Sequence, residues 1–142
     1  MKLVCSMITA MALIIGVSCN PDRTEYTEPQ KNVVNTWMAV KVVRNNEDLT
    51  RWLDLAGFQL KLNADRTFVL ENEVLPFLRS GSGTWSVDDA LYPQRLTLTP
   101  ASGKAVTLPL VLPVVNGKRN MQLEFAGGCK NNSYLYTLQN SN

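Results

Sequence analysis

Phe58-Gln59-Leu60-Lys61-Leu62-Asn63-Ala64-Asp65-Arg66-Thr67-Phe68-Val69-Leu70-Glu71 decides the fold. Phe58, Leu60 and Leu62 alternate with Gln59, Lys61 and Asn63; after Asn63-Ala64-Asp65-Arg66, Phe68 and Leu70 alternate with Thr67, Val69 and Glu71. A period of two is the side-chain repeat of a strand with one buried face. A short polar, turn-forming stretch between two such runs is a hairpin.

The same pattern continues on both sides of this hairpin. Trp85 and Val87 flank Ser86, Leu96 and Leu98 flank Thr97, and Met121, Leu123 and Phe125 alternate with Gln122 and Glu124. Tyr134, Tyr136 and Leu138 close the series. Reversal signals stand between the runs at Ser102-Gly103, Asn116-Gly117 and Gly127-Gly128 through Asn132, and Asn-Gly suits the positive φ angles of a type I′ turn. The spacing predicts about eight strands, at 36–45, 58–63, 66–74, 82–87, 94–100, 104–114, 119–126 and 133–140. The fold class expected is all-β, an antiparallel up-and-down meander. Closing it into a barrel hides the apolar face and removes both edges. A barrel of that size is filled by its own side chains or holds one small ligand.

Two places interrupt the pattern. Leu49, Trp52, Leu53 and Ala56 fall at helical spacing within residues 46–57, with Asn46 or Asp48 as a cap and Gly57 as a stop. A short helix is therefore expected between the first two strands, over one mouth, with Trp52 and Leu53 completing the core. Pro109 and Pro113 lack donors on the same edge of the sixth strand, which predicts a frayed or open seam, or local bulges.

The N-terminus sets an address. Met1-Lys2 precedes an apolar run from Leu3 to Val17, shorter than the roughly 20 residues of a spanning helix. Gly16-Val17-Ser18-Cys19 resembles a lipobox, which implies a signal peptide over 1–18 and acylation of Cys19. Ordinary cleavage near Ser18 and an uncleaved anchor are the competing readings. Residues 19–34 read as a polar tether and 35–142 as the domain. The localisation expected is the bacterial cell envelope, as an outer-membrane lipoprotein, with the membrane as partner through the lipid.

Composition narrows the chemistry. Removing residues 1–18 takes away Lys2 and no acid, leaving 13 basic against 12 acidic residues and a formal charge of +1. With no basic block, no nucleic-acid partner is expected. Without Cys5 and with Cys19 acylated, Cys129 has no partner for an intrachain disulfide. The chain has no histidine, which removes Ser-His-Asp and Cys-His systems and imidazole acid–base work. No enzyme activity and no cofactor are expected, although carboxylate-only chemistry is permitted.

Phe58-Gln59-Leu60 through Asn63-Ala64-Asp65-Arg66-Thr67-Phe68, followed by Ser82-Gly83-Thr84-Trp85-Ser86-Val87-Asp88-Asp89, is similar to the motifs of lipocalin-like domains in Bacteroidetes-type lipoproteins. Asn35-Thr36-Trp37 takes the place of the Gly-x-Trp that opens the first lipocalin strand, and Tyr134 to Leu138 fits the last. The resemblance spans 35–140 and departs from the family pattern at Asn35 and Arg66, where glycines are usual. It implies a lipocalin-like barrel and carries no catalytic residues.

The candidate ligand-binding residues are Trp37, Trp52, Phe68, Phe77, Arg79, Trp85, Tyr134 and Tyr136, since such pockets are mostly apolar with a few polar groups. A self-filled aromatic core would use the same residues. Phe77, Leu78 and Arg79 form an apolar tip with one cation in loop 75–82. Asp54, Asp88 and Asp89 would approach a calcium site only if their loops meet; Glu71 and Glu73 resemble a carboxylate pair, and Cys129 is a candidate thiol. Two functions follow: a binder of a small apolar or amphipathic molecule in the barrel, or a solid-core module whose loops 75–82 and 88–94 contact an envelope protein or a glycan.

Overall fold

A computed structural model describes residues 32–72, 79–126 and 131–141. The signal segment, Cys19, most of the tether, Phe77 and Cys129 lie outside the described residues. The strands are β1 (Asn35–Arg44), β2 (Glu47–Asp48), β3 (Gln59–Leu62), β4 (Thr67–Glu71), β5 (Gly81–Val87), β6 (Arg95–Pro100), β7 (Val106–Val111), β8 (Val114–Val115), β9 (Lys118–Ala126) and β10 (Ser133–Asn140). Pairing runs β10-β1-β3-β4-β5-β6-β7-β9, and β9 pairs with β10 to close the ring. Eight antiparallel strands thus form the expected lipocalin-like barrel. β2 and β8 are two-residue ribbons paired to β1 and β9.

The alternation read from the sequence is the inside–outside alternation of the barrel. Leu60, Leu62, Phe68, Leu70, Trp85, Leu96, Leu98, Leu108, Leu110, Met121, Leu123, Tyr136 and Leu138 form one buried cluster with Trp37 and Val42. β1 departs from strict alternation: its register against β10 shifts between Ala39 and Lys41, a bulge. Val40 and Lys41 consequently both face solvent, and Val42 returns to the core.

Because neighbouring strands run in opposite directions, the connections alternate between two ends. At the lower end the chain enters before Asn35, reverses at 63–66, 88–94 and 112–117, and leaves after Asn140. The upper end carries 45–58, 101–105 and the connections β4–β5 and β9–β10. Residues 79–82 and loop 88–94 therefore lie at opposite ends of the barrel.

The expected helix over 46–57 is absent. Asn45 and Asn46 both have positive φ (47° and 69°) and reverse the chain directly into β2, as a type I′ turn requires. Asp48 Oδ1 then accepts from the Thr50 amide at 2.9 Å, and Asp54 Oδ1 from the Ala56 amide at 3.0 Å. These local side-chain acceptors compete with helical bonding, and only one 3₁₀ turn forms, Thr50–Trp52. Trp52 does not complete the core: it is 78% exposed, and Leu53 is also exposed. Leu55 and Phe58 turn inward instead.

The proline seam has a definite form. Leu110 donates its amide to Gln94 O at 2.8 Å, toward β6. By alternation the nitrogen of Pro109 faces β9, where it has no proton to give. β7 and β9 register at only two pairs, Leu110 with Leu123 and Val111 with Gln122, and the ladder stops where Pro109 would pair. The barrel is closed there, but by its shortest ladder. Pro113 lies beyond the strand, and its carbonyl accepts from the Asn120 amide at 2.8 Å.

Candidate functional site

The lower end is a structural plug. Trp37 donates Nε1–H to Val33 O at 2.8 Å, and Trp85 donates Nε1–H to Asn63 O at 2.9 Å. Both indoles are buried, with their single donors satisfied by backbone. The Asn63–Arg66 turn is held over Trp85: Asp65 Oδ1 accepts from the Thr67 amide at 3.0 Å, and the Trp85 amide donates to Arg66 O at 2.8 Å. The Arg66 guanidinium lies 4.4 Å from the Trp85 ring centroid, a cation–π contact. Gly83 has no room for a side chain, because a Cβ there would collide with the Thr99 carbonyl oxygen and come within 2.8 Å of Phe68. The motif residues behind the family resemblance thus build the frame.

Asp88 and Asp89 are also structural. Asp88 Oδ1 accepts from the amides of Gln94 (2.9 Å), Arg95 (3.0 Å) and Asp89 (3.1 Å), and Asp89 Oδ1 from those of Leu91 (2.7 Å) and Tyr92 (3.0 Å). These amide bonds, chiefly from Gln94 and Tyr92 respectively, hold both carboxyls below the usual carboxylate range. Asp54 is at the opposite end, so the three carboxylates do not converge. Among the described residues no group of His, Cys, Asp and Glu is placed to hold a metal ion. Glu71 is exposed at the upper end, and Glu73 lies outside the described residues.

The upper end gathers the remaining candidates. Tyr134 stacks on Tyr136 with centroids 6.3 Å apart and planes at 17°. The Arg44 guanidinium sits 5.5 Å from the Tyr134 ring and donates Nε–H to Asn132 Oδ1 at 2.8 Å. Asn45 and Ser133 exchange bonds, Asn45 N–H to Ser133 O at 3.0 Å and Ser133 N–H to Asn45 Oδ1 at 2.9 Å. Leu55, Val106, Phe125 and Tyr134 are half-buried against the core beneath this rim. Trp52 stands outside it, exposed, and Arg79 is exposed at the same end. Burial pushes the Tyr136 hydroxyl up to about 12, with Tyr134 adding to it, so it stays neutral at physiological pH.

Of the candidates, Trp37, Phe68, Trp85 and Tyr136 share the core, Tyr134 lies at its upper boundary, and Trp52 and Arg79 are outside it. Trp37, Phe68, Tyr136, Phe58 and eight aliphatic side chains are each less than 2% exposed. A side chain lining a water-sized void keeps accessible area, so these faces meet protein atoms and not open space. Among the described residues, an open groove of about 490 Å³ lies over β4, β5 and β6, with Thr67, Val69, Ser82, Thr84, Thr99 and Pro100 in its lining. Sequence reasoning missed Arg44 and Asn45. The Asn45-Asn46 pair, a positive-φ turn signal, would have pointed to this rim.

A family model described as "Domain of unknown function (DUF5004)" matches residues 16–139. No curated protein and no solved structure matches the chain.

Proposed function

We propose that this chain, which belongs to the DUF5004 family of domains of unknown function, is a lipid-anchored, non-enzymatic envelope protein that presents the upper end of a solid barrel to a protein partner. Cys19 is the anchor in this reading, and the tether joins the barrel at its lower end. The upper rim then points away from the bilayer.

The observation that carries the reading is a contrast in burial. Twelve large side chains inside the barrel are under 2% exposed, whereas Trp52 at the upper rim is 78% exposed. Tryptophan and arginine are the residue types that most often dominate protein interfaces, and Arg44, Arg51 and Arg79 belong to the same end. The uncharged groove over β4–β6, where Val69, Pro100 and Ala101 line it together with serine and threonine, carries neither tryptophan nor arginine. The half-buried ring of Leu55, Val106, Phe125 and Tyr134 supports a second reading, a shallow seat for a small amphipathic molecule.

Photo-crosslinking in the living envelope tests the proposal. A photoreactive amino acid in place of Trp52 is expected to trap one discrete protein adduct, while the same group at Ser86 on the wall traps none. Native mass spectrometry of the purified chain is expected to show no bound small molecule. A co-purified lipid with no adduct at Trp52 would replace the first reading by the second.

A further inference from the structure

We infer that the lower rim of the barrel is a lipid-contacting surface that seats the domain on the bilayer holding its anchor. The inference rests on the reading of Cys19 as lipidated. Five large apolar side chains are exposed at this end: Leu91 (74%) and Tyr92 (63%) in the β5–β6 loop, Val111 (57%) at the end of β7, and Val114 and Val115 in β8. The Leu110–Gln94 bond and the Arg95–Pro109 register hold these two connections side by side, so the five residues share one rim. Nothing in the barrel requires them to be apolar, since the core is complete above them.

The occupant is set by where the chain enters. Asn32 and Val33 precede β1 at the lower end, and Val33 is fixed there by the Trp37 indole. From Cys19 to Asn32 a fully extended chain reaches at most about 45 Å. The lower rim is thus the end of the barrel that the anchored segment joins, within reach of the bilayer. Leucine and valine are stabilised in the acyl boundary, and tyrosine is enriched at headgroup level. Arg95 and Lys118 are exposed beside the apolar residues, at the height of anionic headgroups. Asp88 and Asp89 are exposed in the same loop, with their carboxyls engaged by the amides of Gln94, Arg95, Leu91 and Tyr92, and Leu91 and Tyr92 stand exposed beside them.

The test uses the full, processed and lipidated chain in vesicles of phosphatidylethanolamine and phosphatidylglycerol containing doxyl-labelled phosphatidylcholine. Leu91→Trp in a Trp52→Phe background places a reporter on the lower rim, and Val115→Trp in the same background is the second probe. The difference between the native chain and the Trp52→Phe background isolates Trp52 at the upper rim, because Trp37 and Trp85 are common to both. Seating predicts blue-shifted emission and doxyl quenching for both lower probes, and neither for Trp52. Flotation with the vesicles but no quenching at 91 or 115 overturns the seating and leaves the anchor intact. Failure to float overturns the anchor, and the seating falls with it. A circular dichroism spectrum matching the native chain establishes that each variant is folded.

Discussion

Arg66 combines two opposed contributions in one side chain. Its φ of 68° is left-handed, a conformation that costs an L-residue roughly 1–2 kcal/mol and glycine almost nothing. Its guanidinium on Trp85 returns about 0.5–1 kcal/mol, the usual range for an exposed cation–π pair. The two effects nearly cancel, which explains how an arginine is accommodated at this left-handed position. Arg66→Gly is therefore expected to change stability by less than about 0.5 kcal/mol, since relief of strain offsets the lost contact. Arg66→Ala keeps the strain and loses the contact, and is expected to cost about 1 kcal/mol. Urea denaturation midpoints check the order; an alanine variant as stable as the native chain would show that the ring contact contributes nothing, and one as stable as the glycine variant would show that the left-handed φ costs nothing.

Among the elements, the β7–β9 ladder is where a proline removes a backbone donor from the barrel wall. Pro109→Val supplies the missing donor opposite Glu124. The new amide at position 109 is expected to be protected from hydrogen exchange to a similar degree as Val111. Overall stability should move little, because a hydrogen bond worth about 1 kcal/mol is offset by the loss of proline's restriction of the unfolded chain. A freely exchanging amide at 109 would mean that the strands splay for another reason.

This seam was legible because a proline has one physical meaning in a ladder, and the strands were legible because a one-residue slip would expose an entire face. The segment 45–58 was not. Leu49, Trp52, Leu53 and Ala56 fit a helical stripe, but Asp48 and Asp54 bond the backbone two residues on and break the helix locally. Once the segment is irregular, spacing no longer tells which apolar side chain turns in, and Leu55 does so where Trp52 was expected. The candidate site was hidden for the same reason: its exposed member is defined by a loop whose shape is set by single polar contacts.

At the scale of the whole molecule, the three tryptophans sample the core and the rim separately. Trp37 and Trp85 are 1% and 4% exposed with their indole donors bonded to backbone, and Trp52 is 78% exposed. If the barrel is solid, a neutral quencher such as acrylamide has no route to the first two short of unfolding. Native fluorescence should then separate into one quenchable, red-emitting component and a blue one that resists quenching. Trp52→Phe is expected to remove the first component entirely, with stability changed by no more than about 0.5 kcal/mol, as for most surface substitutions. An interior that admits small molecules gives a different result: quenching of the blue component persists in the variant, under conditions where the fold is intact by circular dichroism. That outcome would move the functional surface from the rim at Trp52 into the barrel. The same two measurements therefore decide whether the fold serves as a container or as a rigid support for what stands on its upper edge.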